Sequence, residues 1–380
     1  GKMIKSDEGD RTKDKTINGK KYAFDQYGEM VAEWSLDSDD EKEASDNVGH
    51  YAASTNQTVA SVSEAWQGKG NYAQYSKAWK YFNSVEDGAR VSKGWFKVVP
   101  AEYLNEDKYN DDEDFWYYAD GSGNLYAGEF KTIKGKKYAF RDDGRMLNGL
   151  KFIKEDEANQ SLSVYADDHD TYNFDNEDDF LDHAAEFYEP NGYKCFYFGD
   201  GDDGAMRTNK TSVAIDGDNY NFYFEKSGGN KGAGVTGEKD DKYYQSGKLV
   251  RAGSDEKYQV VKHVNETDAV GYDKLDDADE FITELGADVK YHVSTVVTQE
   301  NLDALGVNKK LEDIQEIAVI TRDVVVDGRT EVKSGTDAED FFLVNTSGKV
   351  IDSKSKNKDG NDYQFVVAKG GSILGYYVED

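Results

Sequence analysis

Apolar positions along the chain fall in short alternating runs rich in aromatic rings, and each run leads into a turn signal. Phe115-Trp116-Tyr117-Tyr118-Ala119-Asp120 leads through Gly123-Asn124-Leu125 to Gly128-Glu129-Phe130. Trp79-Lys80-Tyr81-Phe82 leads through Asp87-Gly88 to Lys93-Gly94-Trp95-Phe96. A run of about four to six alternating residues has one apolar and one polar face, which predicts a half-buried strand. The Asp, Asn or Ser with Gly that follows supplies the positive φ of a hairpin turn. A second short strand bearing Met, Leu or Val is expected after it.

The same plan recurs along the chain. Thr16-Ile17-Asn18-Gly19-Lys20-Lys21-Tyr22-Ala23-Phe24-Asp25-Gln26-Tyr27-Gly28-Glu29-Met30 returns 116 residues later as Thr132-Ile133-Lys134-Gly135-Lys136-Lys137-Tyr138-Ala139-Phe140-Arg141-Asp142-Asp143-Gly144-Arg145-Met146, with 10 of 15 positions identical. Looser copies are Phe196-Tyr197-Phe198-Gly199 with Met206, Asn221-Phe222-Tyr223-Phe224 with Gly228, and Lys242-Tyr243-Tyr244 with Leu249. Phe341-Phe342-Leu343-Val344 with Val350, and Tyr363-Gln364-Phe365-Val366, complete the set. One hairpin is marginal alone, so successive copies are expected to bury their inner faces on each other. The predicted fold is mainly β, an elongated solenoid of stacked β-hairpin repeats with helical and mixed α/β insertions.

Insertions separate the copies. Residues 36–75 are acidic and then rich in Ser, Ala and Gln, and 101–113 form a charged excursion. Residues 175–188 predict a helix with Phe180, Leu181, Ala184 and Phe187 on one face, acids at its start, and Pro190 to stop it. The largest departure runs from about 258 to 328. It reads as a strand at 258–264 and a helix at 275–285 with Leu275, Ala278, Phe281, Ile282 and Leu285 inward. Another strand at 291–297, a short helix at 299–305 and a strand over 317–326 complete it. This mixed α/β unit lies between a repeat ending near Val250 and a closing repeat from Phe341. The expected division is 1–50 for the first hairpin and an acidic linker, 51–160 for the main repeats, 161–255 for further hairpins with a helical insertion, and 256–380 for the α/β insertion and its closing repeats.

Composition narrows the chemistry. The chain has 380 residues and a net charge of −30, which disfavours nucleic acid and anionic lipid as partners. Its 27 Tyr, 18 Phe and 5 Trp distinguish it from an acidic disordered tail. No stretch approaches the roughly 18 continuous apolar residues of a membrane span, so no membrane insertion is expected. Gly1-Lys2-Met3 opens on no apolar signal segment; any signal peptide is expected to have been removed or left out. Strong acidity with a lone cysteine suits a secreted, extracellular protein. Cys195 sits in Lys194-Cys195-Phe196-Tyr197-Phe198 and reads as a small buried strand residue.

Catalytic and metal motifs are missing from the sequence. His50, His169, His183, His263 and His292 form no HExxH or local zinc pair, and one cysteine makes no cage. No nucleophile elbow, Walker loop or Rossmann fingerprint occurs. Asp200-Gly201-Asp202-Asp203-Gly204 and Asp216-Gly217-Asp218-Asn219 miss the calcium-loop spacing and read as turns. The expectation is a non-enzyme with no cofactor and no metal.

Aromatic rings are the residue class in excess. Trp95, Trp116, Tyr117, Tyr118, Phe130, Tyr138 and Phe140 fall within 46 residues. Stacked hairpins set such rings in rows with shallow notches between them. A flat ring can stack on a sugar's C–H face, and several rings can cage a quaternary ammonium. The same rings are also the material for the core.

Lys93-Gly94-Trp95-Phe96, Phe115-Trp116-Tyr117-Tyr118, Ile133-Lys134-Gly135-Lys136-Lys137-Tyr138-Ala139-Phe140 and Asp143-Gly144-Arg145-Met146 resemble the bacterial cell-wall-binding repeat. That family includes choline-binding modules of streptococcal surface proteins, glucan-binding repeats of glucosyltransferases and receptor-binding repeats of large clostridial toxins. Residues 14–34 and 79–153 carry the resemblance most fully, 193–250 more loosely, and 341–378 most loosely. It implies a secreted or wall-associated, non-catalytic protein of a Gram-positive bacterium that binds a cell-wall polymer or polysaccharide. The implied ligand-binding notch comprises Trp95, Trp116, Tyr118, Phe130, Tyr138 and Phe140. Only Trp95 keeps the family's Gly-Trp pair, which centres the site on Trp95, Trp116 and Tyr118. The alternative is an extracellular scaffold that meets a protein partner through the α/β insertion.

Overall fold

Four two-residue turns set the register of the longer hairpins: Asn18-Gly19, Lys134-Gly135, Asp216-Gly217 and Asp327-Gly328. All eight residues have positive φ, from +48° at Lys134 to +87° at Gly217. Positive φ at both central positions is the type I′ turn, whose twist matches that of paired strands. A computed structural model describes residues 1–8, 12–36, 72–102, 104–158, 161–165, 174–187, 192–267 and 269–380. Most of the expected 36–75 insertion, His50, His169 and Pro190 lie outside the described residues. The chain divides into two compact units, Gly1–Asp167 with Tyr197–Arg207, and Asp168–Phe196 with Thr208–Asp380.

The first unit is a succession of antiparallel ribbons. Lys13–Ile17 pairs with Lys20–Phe24, Trp34–Leu36 with Trp79–Tyr81, Gly94–Val98 with Phe115–Ala119, Glu129–Ile133 with Lys136–Phe140, and Leu150–Asp156 with Ser161–Tyr165. Each aromatic strand thus ladders with the strand before it. The expected second strand beyond the Asp-Gly turn shrinks to a single bridge: Phe24 to Met30, Ala119 to Leu125, Phe140 to Met146. The cause lies in the turn. The Asp120 carboxylate accepts the N–H groups of Ser122 and Asn124, and Gly123 N–H donates to the Asp120 carbonyl, so the loop is tied up before a ladder can form.

One backbone bond recurs among the copies, though not at 363–366, where Gln364–Val367 ladders with Ser355–Lys358 and Ile373–Glu379 instead. Val31 N–H donates to Ala23, Tyr126 to Tyr118, Leu147 to Ala139, Val235 to Tyr223 and Ile351 to Leu343, over 2.8 to 3.1 Å. The loosest copy, at 341–351, therefore has the same geometry as the clearest. A second set of bonds joins successive copies in the first unit: Arg90 N–H to the Lys21 carbonyl, Met146 to Trp116, and Met206 to Lys137.

In the second unit, Asn209–Ile215, Asp218–Phe224, Lys248–Leu249, Lys242–Gln245 and Gly237–Lys239 form one antiparallel sheet in that order. The predicted acidic helix is Glu177–Phe187, with Phe180, Leu181 and Ala184 buried as expected and the Phe180 ring 5.4 Å from Phe222. Tyr258–Asn265 lies between Val270–Lys274 and Phe341–Asn345. This corrects the expected place of the 258–264 strand. It belongs to a repeat ribbon with Phe341–Asn345, and the detour 266–340 leaves from the ribbon's tip. Residues 99–114 occupy the same place between Gly94–Val98 and Phe115–Ala119, so these insertions sit within copies rather than between them.

The detour contains helices Ala278–Ala287 and Gln299–Leu305, capped by the Asp277 and Thr298 side chains. Its strands Tyr291–Ser294 and Ile314–Val326 continue into Ile373–Glu379, Gln364–Val367 and Ser355–Lys358, antiparallel throughout. Phe281 and Leu285 bury against this sheet with Phe341, Phe365 and Tyr376. Cys195 is buried, and burial pushes its thiol pKa well up, as a structural cysteine requires. No helix among the described residues is long and apolar enough to cross a membrane. The described structure is mainly β, built of small antiparallel sheets with no closed barrel.

Candidate functional site

The ribbon of Gly94–Val98 and Phe115–Ala119 carries rings on both faces because its sequence alternates ring with ring. Phe96 opposes Tyr117, while Trp95 opposes Tyr118 and Lys97 opposes Trp116. Successive side chains point to opposite faces, so these pairs separate. Phe96 and Tyr117 stack at 5.5 Å and are buried in a core that includes Trp79, with Trp34 packed against it. The other face keeps Trp95, Trp116 and Tyr118 half-buried.

The next ribbon brings its own rings to that second face. The Tyr138 ring meets Trp95 edge-to-face at 4.8 Å, and Phe140 stacks against Trp95 at 5.7 Å and 28°. Tyr118 and Trp116 stand at 5.1 and 6.4 Å from the same indole, both close to perpendicular. These are contact geometries of aromatic pairs. Five of the six expected residues thus meet around Trp95. Phe140 is fully buried and forms the backing of the group rather than its accessible surface. Phe130 stands apart, with its ring 6.4 Å from Phe198 and the Lys137 ammonium 4.9 Å above it.

A residue that the sequence reading left out completes the row. Tyr126 stacks on Tyr118 at 5.1 Å and 8°, with the Lys131 ammonium 5.1 Å from its ring. Its position directly after the bridge residue Leu125 was the available signal, since the bond from Tyr126 N–H to the Tyr118 carbonyl recurs after the bridge residues Met30, Met146, Gly234 and Val350. At the opposite end, Asp202 accepts from the Trp116 indole N–H at 3.1 Å and from Lys97 at 2.8 Å. Those two bonds hold the Asp202 carboxyl below its usual range, and the bond to Asp202 raises the Lys97 ammonium. Burial, reinforced by Tyr118 and Asp120, raises the Tyr126 phenol; burial and Asp203 raise that of Tyr138. Both phenols therefore remain hydroxyl donors at neutral pH.

The arrangement offers half-buried ring faces, the phenols of Tyr118, Tyr126 and Tyr138, the ammonium groups of Lys97 and Lys131, and the Asp202 carboxylate. Among the described residues, no three His, Cys, Asp or Glu side chains are grouped to hold a metal ion. Asp216 and Gly217 form a hairpin turn, Asp202 pairs with Lys97, and Asp203 pairs with Arg207.

Ribbon and site together define a β-hairpin repeat protein with a ring-lined surface. No protein-family model matches the chain, and no curated protein matches it. Among solved structures the chain is similar to choline binding protein F from Streptococcus pneumoniae, at 16% identity over 64% of this chain and 48% of that one, with a TM-score of 0.32. It is similar also to the choline-binding domain of CbpL from the same organism, at 14% identity over 62% and 85% of the two chains with a TM-score of 0.23. The modular autolysin LytC, again from Streptococcus pneumoniae, matches at 14% identity over 88% and 52% with a TM-score of 0.18. The chain spans about half the length of choline binding protein F. The first two of these structures are of choline-binding proteins.

Proposed function

We propose that the chain is a secreted, non-catalytic, cell-wall-associated protein whose repeats bind a wall polymer or polysaccharide through ring-lined notches between stacked hairpins. The carrying observation is the Trp95 group, in which rings from two successive ribbons converge on one half-exposed indole. Phe96 and Tyr117 are buried in a core on one face of the ribbon, whereas on the other Trp95, Trp116, Tyr118, Tyr126 and Tyr138 pack over a second core of Ile133, Phe140 and Met146 and stay only partly buried. Recurrent bonds between copies, as from Met146 to Trp116 and from Met206 to Lys137, support a solenoid arrangement that sets such notches in series. Several weak notches on one polymer act together, so avidity exceeds the affinity of any single site.

A pull-down of the purified chain on peptidoglycan and on insoluble α-glucan tests this reading. Trp95→Ala is expected to weaken retention about tenfold, the loss that one stacking contact of roughly 1.4 kcal/mol brings, with an unchanged far-ultraviolet spectrum. Trp116→Ala is expected to follow it. Choline, bound in one solved endolysin to which the chain is similar, serves as an added competitor. Failure to bind any polymer would favour the scaffold reading.

A further inference from the structure

The strand Ile314–Val326 runs past its neighbours, and its last residues pair through the Asp327-Gly328 turn with Arg329–Ser334. Every residue of Arg329–Ser334 is exposed, and the ribbon carries two bare valines, Val325 at 72% and Val332 at 66% exposure. Among the described residues, Arg329–Ser334 pairs on one side only. In a hairpin closed by a two-residue turn, the pair next to the turn is hydrogen-bonded and bonded pairs alternate from there. Val326 with Arg329, Val324 with Glu331 and Arg322 with Lys333 are then the bonded pairs. The backbone groups of Thr330, Val332 and Ser334 consequently point to the open edge, where the Ser334 carbonyl also accepts from Arg322 at 3.0 Å.

We propose that this edge joins two copies of the chain, paired antiparallel about a two-fold axis at Val332. An open edge with outward backbone groups is a template for another strand, and the order of charges selects which one. Arg329, Glu331 and Lys333 share one face and alternate in sign. With the axis at Val332, Glu331 faces Lys333 of the partner subunit twice over, and Thr330 faces Ser334 of the partner subunit. Moving the axis to Glu331 or to Lys333 sets identical charges directly opposite, which is unfavourable. An axis at Thr330 opposes Arg329 to Glu331 but runs into the turn and shortens the ladder. Hydrogen-bond parity and charge order therefore agree on one register. On the other face, Val332 meets its own copy and Val325 lies diagonally beside it, so four exposed valines become one apolar stripe.

Two short strands bury well under the roughly 1,200 Å² of a standard interface, so the dimer belongs to the micromolar to millimolar range. A net charge of −30 on each copy opposes association, and salt screens that repulsion. Sedimentation velocity of the full chain from about 5 to about 500 µM is expected to show a dimer that grows with concentration. Val332→Pro removes an N–H that points to the open edge, so it is expected to abolish the dimer and keep the hairpin. Glu331→Lys is expected to weaken association at least about tenfold by setting Lys against Lys, and the double exchange Glu331→Lys with Lys333→Glu to restore it. A monomer at every concentration, or a dimer indifferent to Val332→Pro and to Glu331→Lys, would overturn the proposal.

Discussion

Two carboxylates of the second unit show how the same burial acts differently according to neighbours. Burial alone raises the Glu177 carboxyl, but Lys248 and Lys274 outweigh it and hold the group below its usual range. The burial is shared: Lys248 is pushed down to about 8 despite the attraction of Glu177. Asp273 has the opposite surroundings. Burial, then Asp182, Glu280 and Glu284, raise it from 3.8 to about 6. Between those two values the folded chain holds a proton that the unfolded chain releases. The group's stabilising contribution is thus complete below about pH 4 and is lost as pH rises through about 6. Asp273→Asn is therefore expected to be more stable than the native chain at neutral pH by about 1 kcal/mol, after allowance for solvent screening. The gain should vanish in acid. Urea midpoints at the two pH values check this, and an equal gain at both would show that ionisation of Asp273 is not its source.

At the scale of the element, the repeated Gly-x-Met has a packing cause. A Cβ on Gly144 would lie 3.1 Å from Leu125 and 3.4 Å from Tyr117, and φ there is +91°. Gly88 meets Met30 and Gly204 meets Met146 in the same way, the turn glycine of one copy resting on the bridge residue of the copy before. Gly135, also at positive φ, has open space around it. Gly135→Ala is accordingly expected to cost about 1 kcal/mol of backbone strain, and Gly144→Ala more, because crowding is added. Equal losses in chemical denaturation would remove packing from the account of the motif. Strand existence was legible from ring alternation, and Gln299–Leu305 matches its expected bounds. Pairing was not legible, because a strand such as Phe115–Ala119 does not state which neighbour it ladders with. The wholly exposed Arg329–Ser334 was invisible to a search for apolar alternation. The ring group around Trp95 was readable from Gly94-Trp95, whereas Phe130 looked equivalent in sequence and is placed elsewhere by its own ribbon.

At the scale of the whole molecule, 76 acidic side chains against 46 basic ones produce a self-repulsion that favours expansion. The melting temperature is therefore expected to rise as sodium chloride goes from about 0.05 to about 0.5 M, where the screening length falls below roughly 5 Å. A fall would show that exposed pairs such as Lys309 with Glu379 outweigh the net charge. The departure of residues 99–114 and 266–340 from ribbon tips bears on how such a chain can lengthen. Both ends of a tip lie side by side, so additional sequence enters and leaves at one point and the hydrogen-bonded ladder below is undisturbed. Loop closure depends only logarithmically on length, so the longer excursion is harder to close than the shorter by roughly 1 kcal/mol. Whole folded modules can accordingly be acquired at these points for little more than the entropy of a modest loop, while the even spacing by which repeats are detected in sequence disappears.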